Sequence, residues 1–193
     1  MAADPIARFR RWYAAAARHA EIPQPEAMAL ATADRRGRPS VRIVLLKQVD
    51  AGGFVFFTNA DSRKGRELRA NPHASLAFYW QPLGRQVRVE GRVSMVTDAE
   101  ADAYWSTRPR ESQLGGAASA QSTPIASRAA LLAQWRALDR RYRGIPVPRP
   151  PHWTGFRIAP SAIEFWTLRP YRMHDRERFT RTPRGWRLER LQP

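Results

Sequence analysis

Gln86-Val87-Arg88-Val89-Glu90-Gly91-Arg92-Val93 is the stretch on which the fold class turns. Gln86, Arg88, Glu90 and Arg92 fall on one face of an extended chain, and Val87, Val89 and Val93 fall on the other. A period of two marks a strand with one buried face, because successive side chains point to opposite sides. Strand signals surround it. Residues 74–80 precede it, and earlier come 27–33, 40–47 and 53–58, rich in small or branched apolar residues and Phe. Asp34-Arg35-Arg36-Gly37 reads as a turn, and Asp50-Ala51-Gly52-Gly53 predicts a hairpin joining 40–47 to 53–58. Downstream, 155–158, 162–166 and 179–191 read as strands. Strands that follow strands through short turns predict a mostly β fold, an antiparallel sheet or barrel.

Helices flank these strands. Asp4-Pro5 is an N-cap followed by proline, and Ile6, Phe9, Tyr13 and Ala17 recur at helical spacing up to His19. Asp61 or Ser62 caps a helix that Asn71-Pro72 stops. Thr97 and Glu100 have capping-box spacing and open a helix to about Thr107. Gly115 to Ser122 reads as a loop, and Ser127 to about Tyr142 as a helix. The organisation is a single domain, with residues 1–24 an N-terminal helix and connection and 25–193 the β domain.

Composition narrows the function. No window approaches the roughly 20 apolar residues of a membrane span, and Met1-Ala2-Ala3-Asp4-Pro5 does not open a signal peptide. Cysteine is absent, which removes disulfides and thiolate metal sites and fits a cytoplasmic protein with no metal. Lys plus Arg number 33 against 17 acids, a net charge of +16 that suits an anionic partner. The arginines are dispersed and no recognition motif appears, so the expected partner is a small anion and not nucleic acid. Neither GxGxxG nor GxxxxGK[ST] occurs.

Separate segments carry the chemistry. In Arg42-Ile43-Val44-Leu45-Leu46-Lys47, Arg42 and Lys47 point to opposite faces of a strand. Phe57-Thr58 leads through a turn to the helix start at Arg63-Lys64, where free N–H groups and the helix dipole favour a phosphate. Two cations in that first turn disfavour the helix unless an anion offsets them. Tyr104 and Arg108 share a helix face, with Ser112 just beyond the helix end, a set that suits a phosphate monoester. Gln86, Gln121 and Ser122 offer neutral polar groups to a heterocycle or a phosphate rim. Arg172, His174 and Arg176 alternate after Trp166, so one strand face would present all three to an anion.

Taken together, these segments resemble the pyridoxine/pyridoxamine 5′-phosphate oxidase family. The most specific match is Ile163-Glu164-Phe165-Trp166 followed by Arg172-Met173-His174-Asp175-Arg176. The resemblance implies an FMN-binding split β-barrel of antiparallel Greek-key type, working as a homodimer with FMN between subunits. It implies FMN contacts from Arg42, Ile43, Val44, Leu45, Leu46, Lys47, Phe57, Thr58, Arg63, Lys64, Gln86, Gln121, Ser122, Trp166 and Arg176. Substrate contacts would come from Lys47, Tyr104, Arg108, Ser112, Arg172 and His174, of which Arg172 and His174 act at the reacting end. The implied reaction is oxidation of pyridoxine or pyridoxamine 5′-phosphate to pyridoxal 5′-phosphate by dioxygen, releasing hydrogen peroxide. A related oxidase of the phenazine-biosynthesis type is the alternative. Phe57 stands where the family often has tyrosine, and Thr167 where it has Gln, Gly or His.

Overall fold

The computed structural model describes residues 4–193, so the first three residues of the N-terminal reading lie outside it. Helix α1 (Pro5–Ala17) begins as expected, with the Asp4 carboxylate accepting from the Ile6 N–H. Strands β1 (Ala27–Ala33), β2 (Pro39–Leu45), β3 (Gln48–Asp50) and β4 (Gly53–Asn59) follow, then α2 (Arg63–Ala70). Next come β5 (His73–Trp80), β6 (Arg85–Met95), α3 (Asp98–Ser106), α4 (Arg110–Ala118) and α5 (Arg128–Arg141). The chain ends with β7 (Trp153–Thr167), β8 (Asp175–Thr182) and β9 (Gly185–Leu191).

All the strands join one antiparallel sheet in the order β2-β1-β5-β6-β7-β4-β3, with β8 on β7 and β9 on β8. The long β7 pairs with β6 along one side. Along its other side it pairs first with β4 and then with β8. The sheet therefore curls around one core. Val87 and Val89 are fully buried and Val93 nearly so, as the alternation predicts. They meet Phe54, Phe56, Phe78, Trp80, Phe156 and Phe165. Each such side chain contributes about 1.5–3 kcal/mol on burial. Helix α1 closes the open side of this core with Phe9, whose ring meets Phe54 edge-on at 4.8 Å.

The structure corrects several local expectations. Residues 40–47 and 53–58 do not form a hairpin with each other. β2 pairs with β1, and β4 takes the short β3 as its hairpin partner. The segments around 155–158 and 162–166 are one strand, because Pro160 is absorbed where β6 shifts register between Glu90 and Gly91. Gly115 to Ser122 is not all loop. Its first half completes α4, so Ser112 lies within a helix and not beyond one. Helix α3 ends at Ser106, so Arg108 lies in the bend between α3 and α4 and does not share a helix face with Tyr104. Strand β8 begins only at Asp175, so Arg172 and His174 sit on the preceding turn and do not share a strand face with Arg176.

Candidate active site

Two clusters hold most of the expected site residues. The first gathers at the end of β4 and the start of α2. Ser62 caps α2 through its Oγ, accepting from Gly65 N–H. The helix starts in close contact with the chain before it: a Cβ at Gly65 would lie 2.2 Å from the Ala60 carbonyl oxygen, so no larger residue fits. Lys64 is buried and donates to Thr58 Oγ1 (3.1 Å), Ser62 Oγ (3.3 Å) and Gln121 Oε1 (2.7 Å). Those bonds engage all three ammonium donors. Burial, reinforced by the Arg42 charge, pushes the Lys64 pKa down to about 8.

Arg42 faces inward toward the same helix. It donates to Leu30 O, Thr32 Oγ1, Ser40 Oγ and Glu67 Oε2. Arg63 donates through Nε to the other oxygen of Glu67 at 2.8 Å. The sequence reading asked for an anion to offset the cations of this helix start, and the chain supplies one in Glu67. Burial alone would raise the Glu67 carboxyl, but hydrogen bonds from Ser40, Thr32, Arg63 and Arg42 outweigh it and hold the pKa near 2.

A cavity of about 400 Å³ opens beside this cluster, lined by Phe57, Thr58, Arg108, Ser112, Gln121 and Trp153 among others. Phe57 and Trp153 of its lining stack with Tyr104, which does not itself line the cavity; the Phe57 and Tyr104 centroids are 4.1 Å apart. Gly155 makes room for this stack: a Cβ there would lie 2.8 Å from the Phe57 ring. Arg108 lies over the Trp153 and Trp105 rings at 5.0 and 5.6 Å and donates from Nη2 to Ser112 O. Its Nε is buried with no hydrogen-bond partner. An unpartnered guanidinium N–H is costly. Ser122, next to Gln121, has φ of 71°, an uncommon conformation for a serine.

The second cluster lies where β6, β7 and β8 run side by side. Tyr79, Gln86, Trp166 and Arg176 form one cross-strand row on the face turned away from the core. Arg176 donates to the buried Glu164 at 2.8 Å, so its counter-ion is again internal. The His174 ring packs on Trp166 at 4.6 Å, and its Nδ1 accepts from the Arg169 N–H. Arg172 is exposed, and both it and Tyr171 have positive φ, 61° and 58°. Two bulky residues in succession in the left-handed region is strained backbone, which collects at functional sites.

The remaining expected residues fall elsewhere. Lys47 is exposed and lines a separate cavity of about 220 Å³ with Phe9, Arg10 and Tyr13. Leu46 is buried in the core and Val44 packs against it, so neither side chain is free to meet a ligand. Ile43 is 66% exposed on the outer face. β2 has a strand partner only on the β1 side, which leaves alternate backbone groups of 42–45 available along its free edge. Sequence reasoning missed Glu67, Trp153 and Gly155. Glu67 carried a usable signal, as an acid one helical turn beyond Arg63.

The two clusters lie toward opposite ends of β7. Gly155 pairs with Phe57 and Trp166 with Arg176, eleven residues apart, a path of roughly 36 Å along an extended strand.

Comparison with known proteins bears on this arrangement. A family model described as Pyridoxamine 5′-phosphate oxidase matches residues 15–141. Another, described as Pyridoxine 5′-phosphate oxidase C-terminal dimerisation region, matches residues 153–193. A Pyridoxine/pyridoxamine 5′-phosphate oxidase of Myxococcus xanthus (strain DK1622) is 55% identical over 190 residues, covering 98% of this chain and 92% of its own. One of the same name from Gluconobacter oxydans (strain 621H) is 53% identical, covering 99% and 95%. Among solved structures, PhzG from Burkholderia lata 383, in complex with tetrahydrophenazine-1-carboxylic acid, is 36% identical. It aligns with TM-score 0.93 over 98% of this chain and 93% of its own. A pyridoxamine 5′-phosphate oxidase-related, FMN binding protein from Nostoc punctiforme PCC 73102 is similar in fold, with TM-score 0.80 at 18% identity.

Proposed function

Because this chain belongs to the pyridoxamine 5′-phosphate oxidase family, we propose that it uses FMN and dioxygen to oxidise pyridoxine and pyridoxamine 5′-phosphates to pyridoxal 5′-phosphate. The observation that carries the reading is the shared cavity. Phe57, Thr58 and Gln121 from the expected cofactor set line it together with Arg108 and Ser112 from the expected substrate set. The cationic helix start at Arg63-Lys64 and the Arg108 guanidinium beside Ser112 fit two phosphates, one on each molecule.

Arg42, Arg63, Lys64, Thr58, Gln121 and Ser122 would hold the FMN phosphate and its neighbourhood, with Phe57 and the free edge of β2 alongside. Gln86, Trp166 and Arg176 would contribute from the second cluster. When bound, FMN would supply a two-electron acceptor for the substrate 4′ carbon, with dioxygen as final oxidant and hydrogen peroxide as product, and from the amine substrate water would complete the conversion to aldehyde with release of ammonia. The chain's own work is placement. Tyr104, Arg108 and Ser112 clamp the substrate phosphate, while Lys47, expected with them, lines the separate cavity beside Phe9 and Tyr13. Arg172 presses the ring into position, and His174 faces its phenolic oxygen.

The distance between the clusters supports a site shared by two copies. Val41 (69% exposed), Ile43 (66%) and Tyr79 (61%) stand on the outer face of β2, β1 and β5, with Ala29, Ala31 and Ala77 between them. A second copy covering that face would join the two clusters, burying upwards of about 1,000 Å² in the interface. Ile43→Asp should give a monomer by light scattering and should lose FMN in parallel. A dimer that keeps FMN would refute the shared site.

Purified protein should be yellow and should release FMN, not FAD, on denaturation. It should form aldehyde from pyridoxamine 5′-phosphate. FMN affinity should fall as pH rises through about 8, where free Lys64 loses its proton. A bound phosphate favours charged Lys64, so the complex holds a proton that the free protein gives up. The phosphate itself is already a dianion there, with its second pKa near ~6. A titration of FMN affinity that stays level from pH 7 to 9.5 would remove Lys64 from the phosphate site. The 36% identity to PhzG over nearly the whole chain favours one second reading, a phenazine-type substrate on the same cofactor site. FMN binding without turnover of either B6 phosphate would select it.

A further inference from the structure

Both guanidiniums expected at the flavin phosphate end on a single carboxylate. Glu67 takes Arg63 Nε on Oε1, and Arg42 Nη2, Thr32 and Ser40 on Oε2. It is 7% exposed, on the turn of α2 that follows the helix start. Four of the five N–H groups of Arg42 are bonded within the protein, leaving only Nε. Arg63 engages Glu67 through Nε, and its side chain is 62% exposed. Its two terminal nitrogens make no hydrogen bond among the described residues, so its forked edge is presented outward. That fork can take a phosphate through two parallel bonds, and Arg42 adds its charge and its remaining Nε.

Charge gives a second argument. Arg42, Arg63 and Lys64 carry three positive charges, and Glu67 removes one. The remaining two match a phosphate monoester, which carries about −1.5 to −2 at neutral pH. We propose that Glu67 is a positioning residue for the cofactor phosphate, fixing the orientation of Arg42 and Arg63 and matching the cluster's charge to a dianion. This rests on the assignment of the FMN phosphate to the Arg63-Lys64 helix start.

Glu67→Gln separates positioning from simple attraction, because the two predict opposite signs. Removing a negative charge makes the cluster more attractive to an anion, so Coulomb attraction alone would tighten FMN. Loss of orientation weakens it. FMN fluorescence titration of Glu67→Gln should show at least a fivefold weaker Kd, with a steeper dependence on ionic strength from the uncompensated cation. Glu67→Asp keeps the charge but is one methylene too short to reach both guanidiniums, and it should also weaken FMN. It serves too if the Gln variant does not fold. Wild-type affinity in Glu67→Asp, or tighter binding in Glu67→Gln, would overturn the proposal. Lys64→Ala is the control for the assignment beneath it. If Lys64→Ala leaves FMN unchanged, the phosphate lies elsewhere. If it weakens FMN while both Glu67 variants bind normally, only the positioning role fails.

Discussion

Arg108→Ala should raise KM for pyridoxamine 5′-phosphate by roughly 10- to 100-fold, the span expected for one charge-assisted hydrogen bond, while kcat stays within a factor of about 3. The guanidinium is held over Trp153 and Trp105 and tied to the Ser112 carbonyl, with a buried Nε that has no partner among the described residues. A phosphate at that position gains a donor whose desolvation has already been met in folding. The contact is the same before and during reaction, so its loss falls on binding. Arg172→Ala supplies the contrast. Arg172 sits on a strained turn and does not line the cavity of its own chain, and its proposed task is to press the ring into reacting position. Losing it should lower kcat as well. Both variants should purify with full FMN. Steady-state aldehyde formation together with flavin content reads all of these outcomes. If Arg108→Ala loses flavin and keeps its KM, the two phosphate sites are exchanged.

Lys64→Ala should weaken FMN by more than tenfold, and by up to roughly 100-fold, from loss of a charge-assisted contact of about 1.5–3 kcal/mol that the phosphate makes in exchange for one of the three internal bonds of the ammonium. The ammonium is buried and held by Thr58, Ser62 and Gln121, so it cannot swing away and be replaced by water. Removing it also frees Thr58 and Gln121 from the positions in which they line the cavity. The variant should fold. Keeping Lys64 charged while buried opposes folding of the cofactor-free protein below about pH 8, and that cost disappears with the ammonium. A variant as stable as wild type without FMN, but stabilised much less by added FMN, is the expected thermal-melt result. Equal stabilisation by FMN in both proteins would sink it.

The sequence made the strands legible because the Val87/Val89/Val93 alternation and the turn residues around it act locally. It made the cations at the Arg63-Lys64 helix start legible because that pattern is local too, whereas the helix face expected for Tyr104 and Arg108 is not formed, since α3 stops at Ser106. What it hid was long-range. Pairing of β4 with β7 rather than β2 is set about a hundred residues away, by where Trp153 and Gly155 fall in register with Phe57 and Asn59. The anions that answer Arg42 and Arg176 are Glu67 and Glu164. A reading that counted only cations attributed to an external ligand what the chain partly provides itself. Likewise, Arg172, His174 and Arg176 alternate in sequence, yet the turn at Pro170–Arg172 removes the first two from the strand.

The central place of β7 has a consequence for how the molecule is made. β4 and β6 each pair with it, so both keep an open edge until residues 153–167 have been synthesised. A nascent chain that already carries α1 through α5 thus holds two unsatisfied strand edges and an uncovered aromatic core. Closing loops of this length before any contact rewards them places folding among the slow, nonlocal topologies, in milliseconds to seconds rather than microseconds. The C-terminal fifth of the chain carries Arg172 and His174, the residues proposed to act at the reacting end, and it is also the part whose late arrival closes the open strand edges.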